Sequence, residues 1–284
     1  MTKKLLLFFF IFVCMNGTPG LLGWGFYAHK EITKSAVTYL PDSIAVWYQK
    51  NQTEIVNRSI EPDQNRYTDK TEIPRHYIDL EDYQTADFKS SLMPFHDFKL
   101  KYRSEILLKS GYVPYVILDY MDSLTQAISV QDERQMIKFS AYLSHYISDI
   151  NVPFHTTVFY DGKGTTKGIH SRFEADLAER ILVDFKHKES TAEYADNMEQ
   201  RVFSAMKKSY QNVEFILNAD SLIQYDLGIA GKKNKERFDD EYYDRLNEKI
   251  GSVVRDQVSV SSKMVADFWL TCWVNASKKT SPLN

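Results

Sequence analysis

Cysteine is nearly missing from this chain of 284 residues, which holds two, Cys14 and Cys272, so no disulfide framework can carry the fold. Charge of one sign is missing as well. With 35 Lys+Arg against 38 Asp+Glu, the formal net charge of −3 provides no electrostatic footprint for a duplex-DNA binder. Long apolar runs are absent too. The longest, Leu5 to Met15, is eleven residues where a bilayer span needs about 20. No internal repeat and no low-complexity tract occurs. At 43% hydrophobic and 26% charged residues, the composition is ample for a core and too balanced for disorder.

The short apolar run follows Lys3 and Lys4 and precedes the breaker-rich NGTPGLLG, the pattern of a secretory signal. Cleavage after the small Gly23 would make Trp24 the first mature residue and leave 261 residues with a formal charge of −5. Residues 1–23 are therefore expected to be a signal peptide and the protein to be exported, to a periplasm or beyond the cell. Lipoprotein anchoring through Cys14 is the lesser expectation, because bulky Phe12 and Val13 precede it where small residues are usual. Loss of Cys14 leaves Cys272 without an internal partner, and a bound metal could then supply the cross-linking.

From Trp24 onward only eight glycines occur, and the stretches between them carry apolar residues at helical spacing. Ile117, Met121, Leu124 and Ile128 form one face, and Ile137, Tyr142, Leu143, Tyr146 and Ile147 another. A third runs from Val254 through Val258, Met264, Val265, Phe268, Trp269 and Cys272 to Trp273. Prolines at 41, 62, 74, 94, 114 and 153 suit helix starts and connectors. No segment reads as a strand pair. The expectation is a single all-α domain over 24–275, followed by a flexible tail at 276–284.

His145 and Asp149 are four apart in SHYISDINVPFH, so a helix sets them on one face. Pro153 should end that helix near Asn151 and let His155 turn back toward the pair. After the loop DGKGTTKG, His170 and Glu174 repeat the spacing at the beginning of a new helix. Nitrogen and carboxylate donors of this kind suit zinc, although a single such pair is also an ordinary helix ion pair. Upstream, Asp63 and His76 stand in a proline-bearing connector, and WGFYAH sets His29 on the sixth residue from Trp24.

The ordered series of Trp, His, Asp, His, then H-x3-D-x5-H, then H-x3-E over 24–176 resembles the superfamily of zinc-dependent phospholipases C and S1/P1-type nucleases. The resemblance implies an all-α phosphodiesterase of the phospholipase C/P1 nuclease type with three zinc ions. Asp63, His76 and His145 would hold one zinc. Asp149 would bridge it to a second, held also by His29 and by the amine and carbonyl of Trp24. His155, His170 and Glu174 would hold the third. Such metals neutralise a phosphodiester and lower the pKa of bound water to about 7, and Asp63 is the candidate to orient or deprotonate the attacking water. His96 and His187 have no place in the pattern.

Features of both branches are present. Glu174 as the last carboxylate and the 15-residue step from His155 to His170 are similar to the phospholipases, whereas the WGxxxH spacing is similar to the nucleases. Tyr77 and Asp79 read equally as a base-stacking ring with a base-recognising carboxylate, or as packing and a bond acceptor beside His76. Tyr27 stands where choline-preferring phospholipases carry an acidic residue, which argues against choline selectivity. On balance the expectation is a secreted phospholipase C-type phosphodiesterase. An S1/P1-type nuclease on single-stranded nucleic acid is the alternative, and a non-catalytic zinc-binding protein the second alternative. The expected partners are a phospholipid headgroup or single-stranded nucleic acid, with transient membrane-surface contact and a monomeric state.

Overall fold

The computed structural model describes residues 25–83, 94–102, 104–183, 185, 190–233 and 238–280. Cys14, Trp24 and His187 lie outside the described residues.

Helices dominate, as the apolar spacing predicts. In chain order they are α1 (Phe26–Ala36), α2 (Asp42–Arg58), α3 (Glu61–Asn65), α4 (Phe95–Lys101), α5 (Ser104–Ser110), α6 (Val113–Ser129) and α7 (Glu133–Ile150). Next come α8 (Ile169–Ser171), a π-helical stretch Arg172–Leu177, α9 (Ala178–Leu182), α10 (Met198–Gln211), α11 (Val213–Asp226) and α12 (Asp240–Thr280). Local chemistry starts several of them. Pro62 and Pro114 sit in the first turns of α3 and α6, where a missing N–H costs nothing, and Asp132 and Asn197 cap α7 and α10 by accepting from Gln135 N and Gln200 N. Among the described residues the only β feature is one antiparallel bridge between Ile78 and Gly111.

All four residues of the α6 face and all five of the α7 face are buried. On α12 the expected face is buried from Val254 to Cys272, and Trp273 is half-buried. That helix spans 41 residues, about 60 Å at 1.5 Å per residue, and it braces α1, α6 and α7. Trp269 stacks on Tyr48 of α2 at 4.3 Å between ring centroids and donates its Nε1 hydrogen to Ser140 O of α7 at 3.2 Å. Three helices thus share one aromatic contact. Cys272 is a packing residue at this seam, its thiol pushed up to about 12 by burial. Of the tail expected over 276–284, residues 276–280 instead continue α12 through Thr280, with Ala276 buried and the Lys278 ammonium 4.6 Å over the Tyr194 ring, and residues 281–284 lie outside the described residues.

α7 ends at Ile150 with Asn151 as its C-cap, and Pro153 opens a 3₁₀ turn that finishes on His155. The segment from Ile78 to Leu80 then runs beside this turn, with Ile78 N donating to His155 O at 2.8 Å and Leu80 N to Thr156 O at 3.2 Å. Gly111 lets the start of α6 approach from the other side. Its φ is +71°, and a Cβ there would lie 2.2 Å from Tyr77 O.

Candidate metal centre

α7 is the axis of the site. His145 and Asp149 are fully buried one turn apart, with His145 Nε2 3.1 Å from Asp149 Oδ2. α1 brings in His29, whose ring stacks on His145 at 4.1 Å and whose Nε2 lies 3.5 Å from Asp149 Oδ1 and 3.8 Å from Asp63 Oδ2. Asp63 arrives on the short α3. His76 arrives at the end of a 3₁₀ turn, Lys70–Arg75, with Nδ1 2.9 Å from Asp149 Oδ2 and 3.6 Å from Asp63 Oδ1. Beyond Asp149 lies a further group, where His170 Nε2 is 2.9 Å from Glu174 Oε2 and His155 Nε2 is 3.6 Å from the same oxygen.

The eight described side chains expected as ligands therefore converge. They form three sets with donor atoms within 4.8 Å of one another: His29, His145 and Asp149; Asp63, His76 and His145; and His155, His170 and Glu174. Asp149 faces both ways, Oδ2 toward His76 and His145 and Oδ1 toward His29 and His155. His96 belongs to none of these sets and is exposed in the first turn of α4. Of Trp24, only the neighbour is described: Gly25 N donates to Glu174 O at 3.2 Å, and a Cβ on Gly25 would lie 3.2 Å from Ala175 Cα.

The donor chemistry suits divalent cations. His29 Nδ1 and Nε2, Asp63 Oδ2, Asp149 Oδ1 and His170 Nδ1 are buried without a hydrogen-bond partner, a costly arrangement unless a cation answers it. Burial holds His29 well below the usual histidine range and takes His170 down to about 4, so both rings keep a free lone pair at neutral pH. Burial would raise Asp149 too, but His145 and His155 outweigh it and hold the carboxyl well below its usual range. Glu174 is pushed by burial up to about 8, the behaviour of a carboxylate with no adequate countercharge among the protein groups.

Bonds behind the rings aim them inward. His145 Nδ1 donates to Ser59 O at 2.8 Å and His155 Nδ1 to His76 O at 2.7 Å, which leaves each Nε2 facing the cluster. His76 Nε2 faces Glu72 Oε1 at 3.6 Å, and Tyr146 OH donates to the same carboxylate oxygen. Arg66 Nη2 pairs with Asp63 Oδ1 at 2.9 Å. Ser59, Arg66, Glu72 and Tyr146 do not stand out in the sequence. The one available signal was spacing, since Glu72 precedes His76 by four residues and Arg66 follows Asp63 by three.

A cavity of about 330 Å³ opens on the cluster, walled by His76, His155 and His170 and by Arg66, Tyr77, Asp79, Lys109 and Tyr160. Tyr77 lines the cavity, and its hydroxyl donates to Lys109 O at 2.8 Å. Asp79 also lines the cavity. Burial, with Asp82 and Glu81 nearby, pushes its carboxyl up to about 7. A larger cavity, about 660 Å³ between α10 and α12, holds none of the histidines and lies among Arg201, Lys208, Asp256 and Lys263.

The comparisons with known proteins agree on a branch. The S1/P1 nuclease family model matches residues 24–261. Endonuclease 2 of Arabidopsis thaliana is 25% identical over 267 residues, which take in 82% of this chain and 86% of that protein. These findings favour the nuclease branch over the phospholipase C branch expected from the sequence. The two features behind that expectation have a local structural setting. The short step from His155 to His170 closes through left-handed glycines at 162, 164 and 168, and Glu174 is carried on a widened, π-helical turn.

Proposed function

We propose a nuclease function from one premise: the chain belongs to the S1/P1 nuclease family and is therefore a zinc-dependent phosphodiester hydrolase. The proposed substrate is single-stranded nucleic acid. The observation that carries this reading is the cavity on the cluster, which has aromatic walls at Tyr77 and Tyr160 beside the cations Arg66 and Lys109. Stacking on an aromatic ring suits an unpaired base, and a cation suits its phosphate. A chain with net charge −3 lacks the broad positive field that holds an intact duplex.

In this reading there are three zinc ions. Asp63, His76, His145 and Asp149 hold the first; Asp149, His29 and the amine and carbonyl of Trp24 the second; His155, His170 and Glu174 the third. The three sets of converging donors support this assignment. When bound, zinc supplies charge neutralisation for the phosphodiester and makes a water acidic enough to lose its proton near neutral pH. The chain's own groups do the rest. Arg66 and Lys109 grip the phosphates, Tyr77 and Tyr160 orient the base, and Asp63, steadied by Arg66, orients the attacking water and receives its proton at Oδ2. Burial of every cluster residue keeps bulk water from competing.

Export with cleavage before Trp24 belongs to the same proposal. The family match starts at residue 24, and Gly25 packs against the backbone of Glu174 and Ala175, both of which support a chain that begins beside the cluster. No helix among the described residues is long and apolar enough to cross a membrane.

The test compares one zinc-loaded preparation on single-stranded DNA and RNA, duplex DNA, phosphatidylcholine and phosphatidylethanolamine. Turnover on single strands should exceed that on either phospholipid by at least about a hundredfold, a difference of about 2.7 kcal/mol in transition-state binding. Equal or faster phospholipid cleavage overturns the nuclease reading. Equal cleavage of duplex and single-stranded DNA overturns the strand preference.

A further inference from the structure

Arg172 lies midway between His170 and Glu174 in sequence, yet on the opposite side of their helical turn, because residues four apart share a face and the one between them points away. Its side chain is buried and every bond it makes leads outward from the metal centre. Nη1 donates to Lys167 O at 2.9 Å, and Nη2 to Thr166 O at 3.2 Å and Asp220 Oδ2 at 2.9 Å. Nε donates to Tyr242 OH at 2.9 Å, and that hydroxyl donates on to Asp220 Oδ1 at 2.6 Å. The guanidinium also lies 4.1 Å over the ring of Phe238. One side chain thereby ties the end of the glycine loop to α11 and α12.

The segment behind which Arg172 stands has little stability of its own. It opens with three α-helical residues, Ile169–Ser171, passes through the π-helical turn Arg172–Leu177, whose hydrogen-bond pattern is rare, and runs unbroken into α9, Ala178–Leu182, a total length at which an isolated helix is marginal. Gly168, with φ at +84°, starts it, and a Cβ there would come within 3.0 Å of Arg172 Nη1. Glycine answers two demands at this position, the left-handed backbone and the approach of the guanidinium.

We infer that Arg172 is the positioning residue of the His155, His170 and Glu174 set, holding the His170–Glu174 turn against α11 and α12 so that both side chains meet His155. The inference rests on the zinc reading proposed above. His155 is fixed separately, through its bond to His76 O, so loss of Arg172 moves two of the three ligands relative to the third. The other two sets stand on α1, α3, α7 and the turn before His76, and none of the Arg172 side-chain bonds above goes to these elements. Its removal therefore acts first on the third metal position and reaches the second only through the bond from Gly25 N to Glu174 O.

The test measures zinc per chain after dialysis, the rate of zinc release to a chelator, melting temperature, and kcat and KM, in wild type and four variants. Wild type should hold three zinc ions and Arg172→Met two, with kcat falling far more than KM changes. Arg172→Lys, which keeps the charge and loses the fork, should fall between them. Tyr242→Phe removes the Nε partner together with the donor to Asp220 Oδ1, and should release one zinc at least tenfold faster than wild type. Arg201→Met breaks the unrelated Arg201–Asp267 pair on α10 and α12, and should lower the melting temperature while retaining all three ions. If Arg172→Met does not fold, the release rate of Tyr242→Phe decides. Wild-type zinc content and release in both Arg172→Met and Tyr242→Phe overturns the inference, as does loss of zinc from Arg201→Met in step with its melting temperature. Wild type that binds no zinc would instead overturn the zinc reading itself.

Discussion

Asp149 on α7 and Asp267 on α12 are both fully buried, and their surroundings differ in kind. Around Asp267 the protein answers every bond: Lys263 Nζ at 2.6 Å and Glu193 N at 2.7 Å reach Oδ1, and Arg201 Nη2 reaches Oδ2. Around Asp149 the neighbours are four histidine rings, and Oδ1 has no hydrogen-bond partner. Lysine and arginine bring a permanent charge that satisfies a carboxylate outright, whereas an imidazole ring can also offer a lone pair to a cation. A buried carboxylate among cations is therefore a finished structural contact, and one among imidazoles is a half-built site whose charge must come from outside the chain.

The sharpest way to break this contrast is to neutralise both carboxylates. Asp149→Asn should lose at least one zinc and lower turnover by at least about a hundredfold, about 3 kcal/mol or more. Asp267→Asn strands two cations and should cost about 3 kcal/mol of stability while zinc content stays whole. Metal analysis beside thermal melting separates the two, and equal zinc loss from both would mean that the two regions do not differ as described.

Next in size is the N-terminal amine. A backbone amide has no lone pair to offer a metal, while an α-amino group with pKa of about 8 gives up its proton readily. A protein extended by a single Met before Trp24 should lose the zinc shared by His29 and Asp149 and most of its activity, and proteolytic trimming to Trp24 should restore both. Full zinc content in the extended protein would remove the amine from the centre. N-terminal sequencing of secreted material should read WGFYAH.

A smaller effect is expected at Asp79, in the wall of the cavity that opens on the cluster. Its carboxyl is pushed up to about 7 by burial, with Asp82 and Glu81 adding to the rise. The folded state thus holds this proton more tightly than the unfolded state does, and stability is lost as pH rises from about 4 toward 7. Asp79→Asn, which has no charge to bury, should melt increasingly above wild type over that window, with the gap level beyond about pH 8. A gap that shrinks with rising pH would reverse the sign. Smallest of all, His96→Ala, at an exposed site in α4, should change neither zinc content nor turnover measurably.

How much of this was legible beforehand varies by residue. The i, i+4 pair on α7 and the stop at Pro153 follow from helix geometry and backbone sterics, so His145, Asp149 and the return of His155 could be read directly. Asp63 stands on the five-residue α3 and His76 at the end of a 3₁₀ turn, both too short for a periodicity to place them, and only their order in the chain pointed to the site. The comparisons favour the nuclease branch over the phospholipase C branch, and the two features that pointed to the latter, Glu174 and the short glycine loop, lie behind the cavity's histidines rather than among the residues that would meet a base. The wall beside those histidines is built from Arg66, Tyr77, Asp79, Lys109 and Tyr160, which share no spacing.

The sequence by itself determined the helical character, the apolar faces of α6, α7 and α12, the lack of a disulfide framework and the supply of nitrogen and carboxylate donors, because each depends on residues a few positions apart. Tertiary structure alone decided which carboxylates are satisfied and which remain open. Asp149 meets His76 across 73 residues, Arg172 meets Asp220 across 48 and Asp267 meets Arg201 across 66. Contacts at such separations are set by how helices pack, and a buried charge becomes a salt bridge or a metal ligand only through the neighbours that this packing delivers.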